Sequence, residues 1–247
     1  MMGMRMRRLF AGALCAFCVV VPSQAQMIPG LQAMVIEHQF SNMRNGGSTK
    51  ASKSADPKTT RRVADTARPK SAEPVRSSYL PSPARRRANL ARFVEKSRAV
   101  DPQGAAALEQ LVASTDLIAA FGRALAPLGL RIDDVADAYT VWWVSAWQAA
   151  HGDTGTPSRA TAQAVRAQAA RALAATREFA RADDAAKQEY AEALLVQAAL
   201  IDGMMDVYGS DPTMAPKVAA SVRQGARTSG LDLDAMTLTE AGFVPVG

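Results

Sequence analysis

Cysteine is almost absent from this chain. Its two cysteines, Cys15 and Cys18, lie in an apolar stretch near the N-terminus, and neither follows the small residues that a lipoprotein cleavage site requires. If that stretch is removed, the remaining chain has no thiol. Disulfide bonds, thiol catalysis and sulfur-ligated zinc sites are then excluded, so the folded part must hold together by packing.

Groups that titrate near neutrality are also scarce, because the chain contains only two histidines, His38 and His151. No nucleophile elbow, zinc-protease helix, phosphate-binding loop or dinucleotide glycine motif is present. His151 stands before Gly152 at the end of a predicted helix, where a histidine caps the last carbonyls. The sequence therefore predicts no cofactor and no metal site.

Aromatic residues make up only 6% of the chain. After the N-terminal stretch, no apolar run approaches the roughly 20 residues of a membrane-spanning helix, so we expect no transmembrane segment in the mature chain. Alanine, by contrast, is abundant, and it favours helices and is depleted in strands. With 48% hydrophobic and 21% charged residues, the chain is expected to contain a globular all-α domain.

The N-terminus has the pattern of a secretory signal peptide. Three arginines precede an apolar stretch from Leu9 to Val21, and Ser23 and Ala25 lie three and one positions before the expected cut between Ala25 and Gln26. That stretch is too short to span a bilayer. We expect residues 1–25 to be removed and the protein to be periplasmic or extracellular in a bacterium.

Residues 41–78 form a predicted disordered linker between a short apolar N-terminal segment, 26–40, and the domain, 79–247. Ser, Thr, Lys, Arg and Pro dominate the linker, and no period of 2 or 3.6 can be traced. Its nine basic and three acidic residues give a net charge of +6, whereas 17 basic and 19 acidic residues give the domain −2. The linker either serves as a spacer or makes a weak electrostatic contact with anionic lipid or wall polymer. Nucleic acid is not expected as a partner.

Start and stop signals predict six or seven helices in one domain, arranged as a single bundle. Serine, threonine or aspartate, in several cases followed by proline, marks each start: Ser82, Asp101, Asp116, Asp133, Thr156, Asp183 or Asp184, and Asp211. The segments after the second and third signals form two short helices or one bent helix. The tail after Gly230 is expected to fold back against the bundle.

The most informative predicted helix follows Asp133 and ends at Gly152. Its three tryptophans share one stripe about 140° wide, which we interpret as core. The opposite side carries polar residues that are expected to face water: Asp134, Asp137, Ser145 and Gln148. The alternative for the stripe is a groove for a sugar or a partner helix, with three candidate binding residues: Tyr139, Trp142 and Trp147.

Paired carboxylates are the remaining candidates for catalysis, because two of them suffice to cleave a glycosidic bond. Asp133 and Asp137 share the start of one predicted helix, with Asp134 in the same cluster, and Asp202 and Asp206 lie four residues apart on a later one. Structural roles also explain both pairs, as helix caps in the first case and as a solvated helix face in the second. We favour the structural interpretation.

The segment from Gly129 to Gly152 contains D-V-A-D-A-Y, then V-W-W-V-x-A-W and a final H-G. It resembles the core of an uncharacterised family of exported bacterial proteins, domain of unknown function 6683. A D-x-x-x-L-T-x-x-G-F pattern from Asp234 to Phe243 is also similar. The resemblance implies export and a helical domain, and it brings no activity with it.

Two functions from different classes stay open. The one we favour is a non-enzymatic, exported helical module that binds an envelope or secreted protein, for example as an immunity protein against a periplasmic toxin. The alternative is a cell-wall-acting hydrolase, which needs two carboxyl groups facing each other across a cleft.

Overall fold

The computed structural model describes residues 75–99 and 101–246. The predicted signal peptide with its cut between Ala25 and Gln26, the apolar segment and most of the predicted linker lie outside these residues. The described residues form eight α-helices and one β-hairpin, which confirms the all-α bundle. The helices are α1 (Pro83–Arg98), α2 (Pro102–Ser114), α3 (Leu117–Leu125), α4 (Val135–His151), α5 (Arg159–Ala174), α6 (Arg177–Arg181), α7 (Asp184–Tyr208) and α8 (Ala215–Thr228).

Four helices begin at the predicted capping residues, and three begin later than predicted. The N-cap is Asp134 rather than Asp133 for α4, Ser158 rather than Thr156 for α5, and Met214 rather than Asp211 for α8. The side chains of Ser82, Asp101 and Asp183 each accept a hydrogen bond from a first-turn backbone N–H that has no partner inside its helix. Proline occupies the first turn of α1 and α2, where its missing N–H costs nothing.

One predicted helix is divided in the structure, so the helices number eight rather than six or seven. The segment expected to run unbroken to Arg181 forms α5 and the five-residue α6. Leu173 and Phe179 are both buried, yet a regular helix would place them about 240° apart. The break between them turns the Phe179 ring into the core.

Helices α2 and α3 are separate and are bent by 70° at the break between them. In the part of the chain that the structure describes, no helix alone has the length and apolar composition to cross a membrane. Only the bent pair of Pro102–Ser114 with Leu117–Leu128 meets that test, on length and composition alone.

Helix α4 is the central element, in contact with α5, α7 and α8. Twelve of its 17 residues are buried. The prediction that its polar side faces water is therefore wrong for Asp134, Asp137 and Ser145, which are all buried, while Gln148 is half-buried. A helix packed on several sides has no water-facing stripe for its polar residues.

Helices α4 and α7 run in the same direction. Tyr139 interacts with Tyr190 in the first half of each helix, and residues further along both helices share a pocket. The C-terminal ends of the two helices therefore lie at the same end of the bundle.

The tail folds back on the bundle, as predicted, but it forms a hairpin that was not predicted. Strand β1 (Met236–Thr239) pairs with the antiparallel strand β2 (Gly242–Pro245). Gln168 on α5 donates to the Phe243 carbonyl at 2.7 Å and accepts from the Phe243 N–H at 2.9 Å. Gly242 has φ +92°, and a Cβ there would lie 2.6 Å from the Gln168 oxygen, so this position needs glycine.

The end of the predicted linker contacts the domain at the starts of α4 and α7. Ser78 forms a β-bridge with Asp134, and the Ser77 carbonyl accepts from the Val135 N–H. Arg76 donates to Asp184 at 3.0 Å. Residues 76–78 therefore contact the bundle at the end opposite the pocket that α4 and α7 share.

Candidate functional site

The first pair of candidate carboxyl groups fixes the start of α4. Asp133 accepts two hydrogen bonds from the Arg131 guanidinium, at 2.8 and 2.7 Å, and these lower the Asp133 pKa. Asp137 is 1% exposed and accepts from the Arg131 backbone N–H at 2.8 Å and from the Arg166 guanidinium. The two side chains therefore have different hydrogen-bond partners and do not line one open site.

Burial raises the pKa of Asp137 to about 6. The negative charge of Asp134 adds to this effect, while Arg131 and Arg166 oppose it. A carboxyl group with such a pKa has the proton affinity of a general acid near neutral pH. However, an exposed fraction of 1% leaves no surface on Asp137 for a substrate.

Asp134, which was expected to face water, is a buried junction. One of its oxygens caps α4 by accepting from the Ala136 N–H at 2.9 Å. The other accepts from the Ser77 hydroxyl at 2.9 Å and from Arg166 at 3.3 Å. This residue therefore connects α4, α5 and the entering N-terminal segment. Its position as an N-cap was the only signal in the sequence.

The second pair, Asp202 and Asp206, lies at the other end of the bundle and lines a pocket. The pocket lies between the C-terminal halves of α4 and α7 and the loop after α4, and it encloses about 540 Å³ including space open to solvent. We call it the acidic pocket. Its lining consists of Ser145, Gln148, Ala149, Asp153, Thr154, Gly155, Thr156, Pro157, Asp202, Met205 and Asp206.

The loop between α4 and α5 supplies the second wall and a third carboxyl group, Asp153. Asp153 accepts from the Gly155 N–H at 2.8 Å, and the Gln148 side-chain amide donates to the Gly155 carbonyl. These bonds hold the loop against the end of α4. Sequence reasoning passed over Asp153, although it follows the helix stop at Gly152 in a turn-forming D-T-G-T segment.

The acidic pocket brings carboxyl groups together near the C-terminal ends of α4 and α7. The last turn of α7 contains Asp206 and no basic residue, although a helix C-terminus favours cations by about 0.3–1 kcal/mol. Asp202 and Asp206 are also like charges at i and i+4, which repel each other on a helix. None of the described residues that line the pocket is basic.

Ser145 on α4 reaches the acidic pocket although it is only 4% exposed. It was expected to face water and instead lies among packed helices at the edge of the pocket. The buried hydroxyls of Ser97 and Thr140 donate to the carbonyl four residues earlier, at 2.9 and 2.7 Å.

The candidate binding aromatics belong to the core and to the hairpin contact. Trp142 is 3% exposed. The Trp147 indole donates to the Met236 carbonyl of the hairpin at 2.9 Å, and Tyr139 makes edge contacts with the rings of Trp142 and Trp143. None of these side chains lines the acidic pocket.

His151 caps the end of α4. Its Nδ1 lies 2.9 Å from the Trp147 carbonyl, and its ring stacks on the Trp147 ring with centroids 4.5 Å apart. This contact is the helix-end role that its position before Gly152 predicts.

A buried polar network joins α1 to α7 through Glu192, which is 1% exposed. Its oxygens accept from Asn89 at 2.7 Å, from Gln188 at 2.9 Å and from Arg86 at 3.1 Å. The network was not predicted. The signal available was an acidic residue inside the otherwise apolar run of α7.

Within the described residues, no group of three or more His, Cys, Asp or Glu side chains is placed to hold a metal ion. A family model described as a family of unknown function, DUF6683, matches residues 7–244 of the chain. No curated protein and no solved structure matches the chain.

Proposed function

The chain belongs to this DUF6683 family of unknown function, and, since membership assigns no activity, we propose that the protein is an exported, non-enzymatic helical module that binds another protein. The partner is a protein of the cell envelope or a secreted protein. The pattern of arginines, apolar residues and small residues at the N-terminus supports export. The family match begins at residue 7 and so includes most of that pattern.

The observation that supports a binding function is that Asp137, a carboxyl group with a raised pKa, is buried and does not line the acidic pocket. Asp137 has a raised pKa near 6 and is sealed by Arg131 and Arg166. The acidic pocket lies more than two helical turns further along α4, and Asp137 does not line it. Such a pocket suits recognition by charge and shape.

The test is capture of the partner from the native compartment. The full gene with a C-terminal tag is expressed in its own host, so that export produces the mature chain, and envelope is gently solubilised at low and at moderate salt. We expect one protein at near-equal stoichiometry that remains bound at moderate salt. Recovery of nothing, or only of lipid and wall material that moderate salt removes, contradicts the proposal.

A wall hydrolase is the second candidate, and one observation favours it. Asp153 on the loop lines the same concave pocket as Asp202 and Asp206 on α7, so carboxyl groups occupy two walls of a cleft. The assay is release of soluble fragments from purified cell wall by the mature chain. Activity that Asp153→Asn and Asp202→Asn each abolish would replace the binding proposal, and absence of release by the unmodified chain removes the hydrolase.

A further inference from the structure

We propose that residues 76–78 form a pH-sensitive strap, which is held against the start of α4 while Asp137 is protonated and is released when Asp137 ionises. The strap lies at the end of the bundle opposite the acidic pocket. Its release is independent of the proposed binding function, because it involves only groups of the chain itself.

The strap is attached to the bundle by few bonds. The Val135 N–H donates to the Ser77 carbonyl at 3.1 Å, and the Ser77 hydroxyl donates to Asp134 at 2.9 Å. The ion pair of Arg76 with Asp184 is largely exposed on the arginine side, and exposed pairs contribute little. Ser77 therefore provides most of the attachment, and its hydroxyl bond ends on the carboxylate of Asp134.

Tyr79 fixes the chain directly after the strap. Its side chain is 4% exposed, its hydroxyl donates to the Ile132 carbonyl at 2.7 Å, and its N–H donates to the Asp133 carbonyl at 3.0 Å. Local openings of a few residues need much less free energy than global unfolding does. Residues 76–78 can therefore leave α4 while Tyr79 stays in the core.

Behind the strap, two buried carboxyl groups share one guanidinium. Asp134 and Asp137 are 5% and 1% exposed, and Arg166 donates to both. Arg131 gives Asp137 only its backbone N–H, because its guanidinium is paired with Asp133. With both carboxyl groups ionised, the site holds two negative charges and one positive charge. Such a site favours any opening that admits water, because a buried net charge is costly.

The other charged groups on the elements around α4 have contacts elsewhere. The ion pairs on α7 and α8 are Asp184 with Arg76, Glu192 with Arg86, and Asp234 with Arg223 and Arg227. Arg159 on α5 lies against Gly129. The nearby phenols stay neutral, because burial raises the pKa of each: Tyr79, Tyr139 and Tyr190. Arg166 is therefore the guanidinium that balances the buried pair.

The direction of the switch follows from the protonation of Asp137. With the strap in place, burial and then the charge of Asp134 raise the Asp137 pKa to about 6. Release admits water and returns the pKa towards its ordinary value of 3.8. The attached form thus holds the proton more tightly, and its advantage is lost as the pH rises through 6. With the full return, the equilibrium constant for release rises about tenfold between pH 5 and pH 7.5.

Amide hydrogen exchange of Val135 reports release directly, because its N–H donates to the Ser77 carbonyl. The ¹⁵N-labelled mature chain is measured at pH 5 and at pH 7.5, and the rate for an unstructured peptide at the same pH is divided by each measured rate to give a protection factor. We expect the protection factor of Val135 to fall about tenfold over this range. A low, non-denaturing concentration of urea should not change Val135 exchange, because release of three residues exposes little surface.

Three variants assign the effect to the strap and to Asp137. Asp137→Asn does not titrate, so its Val135 protection factor should be the same at both pH values. Asp116→Asn makes the same chemical change at the exposed cap of α3 and should retain the tenfold fall. Ser77→Ala removes the hydroxyl bond to Asp134 and should lower the protection factor about fivefold at both pH values, with the pH-dependent ratio preserved.

Equal protection of Val135 at the two pH values in the unmodified chain overturns the proposal. The same fall in Asp137→Asn as in the unmodified chain also overturns it. A third contrary result is urea that accelerates Val135 exchange as much as the exchange of buried α7 amides, since release would then need global unfolding. If Asp137→Asn does not fold, Ser77→Ala still decides, because unchanged Val135 protection in that variant contradicts the strap.

Discussion

Replacing Asp137 with asparagine should remove part of the pH dependence of this protein's stability. The carboxyl has a pKa near 6 in the folded protein and a reference value of 3.8 in the unfolded chain. The folded state therefore holds this proton more tightly than the unfolded state does. The stability that results is complete below about pH 4 and is lost as the pH rises through 6.

The magnitude follows from the two pKa values. Their difference, at 1.36 kcal/mol for each pH unit, corresponds to about 3 kcal/mol of unfolding free energy. Asparagine resembles the protonated carboxyl in shape and does not titrate. Between pH 4 and pH 7.5, the stability of Asp137→Asn should therefore rise by about 2–3 kcal/mol relative to the unmodified protein.

The assay is urea unfolding at a series of pH values, with the fluorescence of the three tryptophans of α4 as the signal. Asp133→Asn is the matched control at the same helix start. The hydrogen bonds from Arg131 lower the Asp133 pKa, so this carboxyl stabilises the fold above its unfolded pKa and the contribution is lost as the pH falls. The two variants should therefore show opposite slopes.

A constant difference between Asp137→Asn and the unmodified protein would refute the reasoning. So would a difference that grows in favour of the unmodified protein as pH rises. Either result would mean that the Arg166 guanidinium and the Arg131 N–H outweigh burial. Asp137 would then be an ordinary ionised carboxylate without the proton affinity of a general acid.

Two further substitutions test other parts of the structure. Trp147→Phe should cost about 1 kcal/mol by removing the bond to Met236, and amide exchange should accelerate in the hairpin but not in α7. Glu192→Ala should lower the free energy of unfolding by about 3 kcal/mol in urea, because the buried donors Asn89 and Gln188 lose their acceptor. An unchanged urea midpoint would show that the network contributes nothing to stability.

Helix starts were the most predictable part of the fold. Ser82, Asp101 and Asp183 cap helices where the sequence places them, because a cap depends on residues within one turn. The break before α6 was less visible. The break allows the Phe179 side chain to be buried, and the core around that side chain includes residues of other helices.

The candidate site was only partly predictable. The spacing of Asp202 and Asp206 on one helix face follows from the sequence. Their pocket depends on a loop that brings Asp153 to the end of α4, and on Ser145, which was expected in water. Such contacts join residues 45 to 61 positions apart, so no local pattern contains them.

The sequence by itself determined the helical class, four of the helix caps and the tryptophan stripe, because propensity, capping and periodicity act over a few residues. The tertiary structure alone decided which polar residues are buried. Asp134, Asp137 and Glu192 lie inside because helices pack around α4 and α7 and supply arginine, serine and amide partners. A buried carboxyl group is stable only where hydrogen-bond donors contact it. These donors come together only when the helices pack into the bundle.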